Sequence, residues 1–501
     1  MPVDTIIAGL LHNSGSNHIY AVVAALLLAI FVTNAVRKKK TKGFEAPRVE
    51  GGWPLIGHAI EYGTNPYAFV ERCRKQYGRA FIARIAFKDI CFLDGTYSKS
   101  FFGKQEKELS FSEAMRQTLV PDLTIGAHVI DSPFHIPILR VSLGAKNVAN
   151  HYALGLELPF RRSLKKSLGD FADAQSGSKK IMDSPSMLCW NMVAHFSSMS
   201  FFGEYMCKDN DELLGIFVSL HLSCFKVINA AAVMPKFIAK WAATDISAKK
   251  KAIRRMVSAE VRRRRENPES IVDGSDVLSN VLKAKDPKTG EQPTADKIGD
   301  YMISVIFASM STTAGVLTHV VFDIAGRPNF AKRLRDETAK ALKEGGGKVD
   351  AKFMERTPNL TAFVRESVRL ASLPIQGVRW SVKDTLVKDI LIPKNTLVTN
   401  SGILAHYDET VFENPMDFDP QRFLEDGVKL IEDPSKLGFS PFGTGRHVCP
   451  GRHFAMAEVH VGVALLLQEF SWKTVSGDVP KYKFVATETL RFDEDIEFTK
   501  L

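Results

Sequence analysis

Cys449 lies in the segment Phe439-Ser-Pro-Phe-Gly-Thr-Gly-Arg-His-Val-Cys-Pro-Gly-Arg-His-Phe454. Pro441, Gly443, Gly445, Pro450 and Gly451 hold the backbone in a turn that no regular helix or strand accepts. An apolar run with helical spacing follows from Phe454 to Phe470. The cysteine therefore stands just before a helix N-terminus, where free N–H groups and the dipole favour thiolate over thiol. A thiolate there serves as nucleophile or as metal ligand. A nucleophile needs a base and an orienting partner, and His447 lies on the same turn, a poor geometry for that pairing. Zinc wants four ligands, and no second cysteine is near. One soft ligand suits the single axial bond of a haem iron, which already has four ring nitrogens.

Two further groups of residues carry chemistry. Thr294 is placed to cap a long helix, with Asp296 in its first turn. Apolar spacing runs from Ile298 to Ile324, and Gly326 and Pro328 end it. About 31 residues at ~1.5 Å each span roughly 46 Å, the width of a domain. In the middle stand Ala308, Ser309, Ser311, Thr312 and Thr313. Hydroxyls inside an apolar helix are costly unless something uses them, and small residues there also suit close helix packing. Glu366 and Arg369, three apart, share a helical face, a pairing that surface helices show as well.

At these residues the chain resembles the cytochrome P450 family of haem-thiolate monooxygenases. The family signature Phe-x-x-Gly-x-Arg-x-Cys-x-Gly is met by Phe442, Gly445, Cys449 and Gly451; His447 fills the arginine slot, with Arg446 one place earlier. The family's Ala/Gly-Gly-x-Asp/Glu-Thr is met by Ala308 and Thr312, while Ser309 replaces the glycine and Ser311 the acid. Asp419-Pro-Gln-Arg-Phe423 supplies Arg422, the family's third partner for Glu366 and Arg369. The resemblance spans Pro47 to the C-terminus and implies a mainly α fold with small β-sheets. It implies haem b bound through Cys449, with Phe442, Arg446 and His447 beside it and Arg379, Arg140 and His135 as candidates for its propionates. Thr312 would steady the water that delivers protons. Ser311 could relay a proton but cannot supply one by its own ionisation. Glu366, Arg369 and Arg422 would form a scaffold that locks the cysteine loop. Ala308, Leu373, Ile375 and Leu490 would line the substrate pocket.

The activity implied is insertion of one oxygen atom of O2 into a lipophilic small molecule. The Ser/Thr helix and the cysteine loop look most like those of fungal members that oxidise terpenoids and related secondary metabolites. The chain has no flavin or nicotinamide fingerprint, so electrons come from outside, from an NADPH-dependent flavoprotein reductase. An alternative is rearrangement or dehydration of an oxygenated substrate without external O2, which the missing acid favours and Thr312 opposes. A haem carrier or sensor would need neither the hydroxyls nor a substrate channel.

The elements that must position these groups are also legible. Asn65 to Gly78 has helical spacing, and Ala80–Ile85 with Asp89–Leu93 reads as a hairpin. Further β content is expected near Val378–Thr399 and Lys483–Phe498 only. Residues 132–146 open another helix. From Leu213 to Ile246 apolar and aromatic residues dominate, among them Phe217, Phe225, Phe237, Ile238 and Trp241, and the resemblance makes them the roof of the substrate cavity. Lys249–Lys251 and Arg262–Arg265 read as a solvated helix face.

Residues 19–36 form an uncharged apolar run long enough to cross a bilayer, followed by Arg37, Lys38, Lys39, Lys40 and Lys42. The positive flank keeps that end in the cytosol, leaving a short lumenal stretch over 1–18. The segment 37–58 is basic and then rich in Pro and Gly, and reads as a hinge to a catalytic domain over 59–501. The resemblance names the endoplasmic reticulum as the membrane, crossed once, with the catalytic domain cytosolic. The 501 residues are 45% hydrophobic, ample for a core, and the six cysteines are scattered, as in a reducing compartment. A net charge of +10 suits an anionic membrane or an acidic partner; no aromatic-interleaved basic motif points to nucleic acid.

Overall fold

The structure is a computed structural model. It describes residues 45–501 except 132, 153–154, 184, 208–210, 234–238, 272–274, 287–288, 481, 486–487 and 492–493. The expected lumenal stretch, the anchor over 19–36, the basic flank after it, and Phe237 and Ile238 lie outside the described residues.

Helices dominate, as expected. Those that bear on the site are α1 (Pro66–Tyr77), α2 (Phe111–Leu119), α3 (His135–Ser142), α4 (Ser186–Phe202), α5 (Asp211–Val233), α6 (Ile246–Glu266), α7 (Ala295–Ala325), α8 (Pro328–Glu344), α9 (Pro358–Leu370), α10 (Gly402–His406) and α11 (Arg452–Glu469). Capping signals in the sequence act where they stand. Asn65 accepts from the Ala68 N–H at the start of α1, and Thr294 accepts from the Lys297 N–H at the start of α7. The long α7 is the axis of the molecule. It packs against α4, α5, α6, α9 and α11, and the Trp472 indole N–H donates to its Val321 carbonyl at 2.9 Å.

The hairpin forms as β1 (Ala80–Ile85) and β2 (Lys88–Leu93), antiparallel with Ala80 opposite Leu93. With β3 (Leu109–Ser110), β5 (Arg379–Ser381) and β6 (Leu397–Asn400) it builds a five-stranded sheet in the order β1-β2-β6-β5-β3. A second sheet joins β4 (Lys179–Met182), β7 (Phe470–Thr474) and β8 (Ile496–Lys500) in the order β7-β8-β4. Neither β4 nor β7 was expected. The first is a short half-exposed strand with two lysines, and the second continues the apolar run of α11 without a break. Only pairing with β8 makes either one a strand.

Two other expectations need correction. The part of the hinge within the described residues, 45–58, is docked on the domain: Val49 N–H donates to the Ile82 carbonyl and Ile82 N–H to the Pro47 carbonyl, each at 2.8 Å, and Ala46 is fully buried. The basic run at the end of α6 is not wholly solvated. Arg264 is buried, paired with Glu260 at 2.6 Å and Asp276 at 2.8 Å, and donates to the Phe202 carbonyl. A buried guanidinium with its donors taken up is a packing device that a run of like charges conceals.

Candidate functional site

The Cys449 loop is built from its glycines. Gly443 and Gly445 have φ of +67° and +71°, a region side chains rarely adopt. At Gly445 a Cβ would also meet the Phe102 carbonyl oxygen at 3.3 Å. The turn is closed by two backbone bonds, Gly443 N–H to the Ser440 carbonyl at 3.1 Å and Cys449 N–H to the Phe442 carbonyl at 3.0 Å. Cys449 is half-buried and unpaired by any disulfide. The N–H groups of Gly451 and Arg452 reach its sulfur, as the approach to a helix N-terminus requires. They do not win alone: burial pushes the thiol up, and those N–H groups and the Arg452 charge only partly offset it. A coordinated metal cation would add to the groups that favour the anion.

A buried cation with no carboxylate ion pair among the described residues lies on β5. Arg379 is nearly inaccessible, its guanidinium ringed by Phe101, Phe102 and Phe111 at 5.2–5.7 Å. Its hydrogen bond among the described residues goes to the Val378 carbonyl at 2.8 Å. Burial pulls its pKa down to about 10, against the nearby Glu106 charge. Five guanidinium donors with so little to bond to fit an anion brought in by a ligand. Glu106 itself is engaged elsewhere. It accepts from the Ser110 hydroxyl, the Phe111 and Ser112 N–H groups and His447 at 3.3 Å, and these outweigh burial to hold its carboxyl below the usual range. His447, in the family's arginine slot, thus pairs with Glu106 and stacks on Phe111 at 4.8 Å.

The other propionate candidates separate. Arg140 on α3 donates to the Arg446 carbonyl and so reaches the cysteine loop. A cleft of about 360 Å³ there is bordered by Arg140, Arg446, Arg452 and His453, with exposed Lys146 close by in sequence. His135 points elsewhere: it is buried, stacked on Tyr301 at 5.0 Å, with Nε2 toward the Ser304 hydroxyl. Burial and neighbouring His128 lower its pKa to about 4. Burial thus disfavours the imidazolium, and Nδ1 has no hydrogen-bond partner among the described residues.

The middle of α7 has an open side. Ala308 and Thr312 are exposed, and Ser311 and Gly315 are half-buried, while their neighbours Met310, Thr313 and Ala314 are buried. Residues at i, i+4 and i+7 share one helix face, so the open side is a stripe through the core. A Cβ placed on Gly315 would meet nothing within 4 Å. The Thr312 hydroxyl donates back to the Ala308 carbonyl at 3.0 Å, which leaves its oxygen lone pairs facing outward to accept. Because α7 packs on α11, the helix that Cys449 leads into, the stripe and the sulfur belong to one assembly.

Glu366 and Arg369 are fully buried on α9 and joined by two 2.7 Å bonds. Arg422 approaches Glu366 at 3.3 Å and the Asp419 N–H donates to the same oxygen at 2.9 Å. Arg369 also donates to the His406 and Pro415 carbonyls at 2.8 and 2.6 Å. Leu373 and Ile375 are half-buried on the segment after α9; Leu490 lies in the strand Glu488–Arg491, its side chain outside the described set. Sequence reading missed His406, Ser372 and Glu106, because each acts through a partner more than thirty residues away or through a turn that no spacing marks.

A family model described as Cytochrome P450 matches residues 47–492. Lanosterol 14-alpha demethylase of Cunninghamella elegans is 24% identical over 500 residues, covering 93% of each chain. The cytochrome P450 monooxygenase paxQ of Penicillium paxilli is 30% identical over 299 residues, 56% of each chain. The tryptophan 6-hydroxylase fscE of Fusarium equiseti is 30% identical over 272 residues, 54% of this chain and 50% of that protein. A retinoic-acid-bound cyanobacterial CYP120A1 superposes with a TM-score of 0.71 at 19% identity, covering 92% of this chain and all of that one, which establishes the fold. The single soft ligand at Cys449, the carboxylate-free Arg379 and the open stripe of α7 suit one cofactor, and this chain belongs to the cytochrome P450 family of monooxygenases, which carry haem on a cysteine thiolate and take O2, a small-molecule substrate and electrons from a redox partner.

Proposed function

We propose that this protein inserts one oxygen atom of O2 into a lipophilic terpenoid or related secondary metabolite, with electrons from an NADPH-dependent flavoprotein reductase. The observation that carries the reading is the open stripe of exposed Ala308 and Thr312 with half-buried Gly315, on a largely buried helix that packs on the helix of Cys449. The similar protein named for lanosterol supports a lipophilic substrate with a large carbon skeleton.

Cys449 would hold haem b through its sulfur, and Arg379, Arg140, Arg446 and Phe442 would be the residues beside it. When bound, haem supplies the activation of O2 that side chains cannot perform. Thr312 spends its proton on the Ala308 carbonyl and keeps its oxygen to accept from a water. Ser311 passes protons along that water without supplying them, so they come from solvent. Ala308, Leu373, Ile375 and Leu490 shape the substrate space. Glu366, Arg369 and Arg422 keep the cysteine loop in place. Residues 19–36 anchor the chain in the endoplasmic reticulum membrane with the catalytic domain in the cytosol, and 37–44 lead to the segment 45–58 that packs on that domain.

Purified protein should give the strongly red-shifted ferrous carbonyl spectrum of a thiolate-ligated haem, and Cys449→Ala should abolish it. An imidazole-type spectrum in both proteins would overturn the reading. Across terpenoids, steroids and fatty acids, the substrate should shift the ferric haem spectrum, and its turnover should stop without reductase or O2. The cleft flanked by Arg140, Arg446 and Arg452, with Lys146 nearby, offers positive charge to an acidic reductase face. Charge reversal at Lys146, Arg446 and Arg452 together should slow electron transfer about tenfold at low salt and much less at high salt.

A further inference from the structure

We propose that His406 is the positioning residue that couples the buried Glu366–Arg369 pair to the Cys449 loop, by fixing the backbone amide of Ser440 at the loop's entrance. The inference rests on Cys449 being the axial ligand and adds the means by which the lock reaches it.

His406 ends α10 and is fully buried. Its Nε2 lies 3.0 Å from the Ser440 amide nitrogen, and its Nδ1 lies 2.5 Å from the Ser372 hydroxyl oxygen. An amide N–H can only donate, so Nε2 is the unprotonated nitrogen. The ring proton therefore sits on Nδ1 and is donated to Ser372, whose own hydroxyl donates to the Arg369 carbonyl at 2.5 Å. Every donor in this chain has one direction: Ser440 to His406, His406 to Ser372, Ser372 to Arg369. The circuit closes on the same residue, because Arg369 Nη1 donates to the His406 carbonyl at 2.8 Å. Both the backbone and the ring of His406 are thus held by the arginine that Glu366 grips.

The ring holds the loop in two ways. Besides accepting from Ser440, it stacks on Phe439 at 5.5 Å. From Ser440 the path to the sulfur is short. The Ser440 carbonyl accepts from Gly443, and the Phe442 carbonyl accepts from the Cys449 amide. A shift at Ser440 displaces Phe442 and hence Cys449. An imidazolium would have no lone pair for the Ser440 amide, and burial with the Arg369 charge keeps the ring neutral.

Two near-isosteres split the contacts. His406→Gln can place an amide oxygen near the Nε2 position and still accept from Ser440. His406→Asn can place an amide N–H near the Nδ1 position, keeping Ser372 and losing Ser440. In the haem-loaded enzymes, residue-resolved hydrogen exchange at the Ser440 amide should be at least tenfold faster in the Asn variant and within threefold of native in the Gln variant. The thiolate-type carbonyl spectrum should decay at least fivefold faster on incubation in the Asn variant and within twofold of native in the Gln variant. A histidine that only fills space would move neither the Ser440 amide nor the two variants apart; equal exchange in all three proteins, or equal spectral decay in both variants, overturns the proposal. If neither variant yields loaded enzyme, Ser372→Ala releases the tautomer without touching the ring. Ser440 exchange at least threefold faster then supports the proposal, and unchanged exchange overturns it. A native enzyme lacking the thiolate spectrum would instead sink the ligand assignment, while the exchange data still judge the His406 contact.

Discussion

Arg379 is the residue whose surroundings make least sense without a ligand. A guanidinium enclosed by three phenylalanines and bonded to its neighbour's carbonyl bears a desolvation cost that an internal carboxylate would ordinarily offset. Glu106 is near enough to influence it but is committed to His447 and the start of α2. Arg379→Leu removes a buried cation and leaves the aromatic ring of contacts, so folding should survive. Haem retention should not: transfer to a scavenging apoprotein is expected to be about tenfold faster, a loss of one charge-assisted contact. Unchanged transfer would mean the guanidinium meets no cofactor carboxylate.

At the scale of elements, α7 is a packing helix with one side left open. Its capping, length and apolar period are those of any core helix, and buried Met310, Thr313 and Ala314 around Thr312 show that its packing is ordinary. Gly315 lies one turn from Thr312 on the open stripe, with free space where a side chain would go. Gly315→Leu should cost the fold little, and glycine to leucine in a helix gains up to about 1 kcal/mol of propensity. The added side chain occupies the substrate space instead. Substrate-induced spectral titrations should show affinity at least tenfold weaker with the carbonyl spectrum intact, and an unchanged affinity would place the cavity elsewhere.

At the scale of the whole molecule, buried titratable groups set the pH range. Burial pushes the Glu458 carboxyl on α11 well above its ordinary 4.5, with the Ser197 hydroxyl bond only partly offsetting it. A raised folded-state value means stability fully present below about 4.5 and lost as pH rises toward the folded value. Burial lowers His406 and His460 to about 3, in His406 with help from the Arg369 charge. Their contribution is present above the unfolded 6.5 and lost as pH falls toward about 3. Glu458→Gln removes only the first dependence. Its stability relative to native should rise with pH above about 4.5, by up to about 1.4 kcal/mol per unit. Urea unfolding at about pH 5 and about pH 7.5 checks this, and a constant difference between the two proteins would rule it out.

The sequence by itself determined what is local. Glycine and proline placement made the Cys449 turn, Thr294 and Gly326 bounded α7, and the three-residue spacing put Glu366 and Arg369 on one face. These follow from backbone sterics, capping and helical period, which act over a few residues. Tertiary structure decided everything that depends on a distant partner. It stacked His135 on Tyr301, turned His447 to Glu106, buried Arg264, and made strands of Lys179–Met182 and Phe470–Thr474. It also set burial against the Gly451 and Arg452 N–H groups and the Arg452 charge at Cys449, because burial and net electrostatics are sums over the whole surrounding fold.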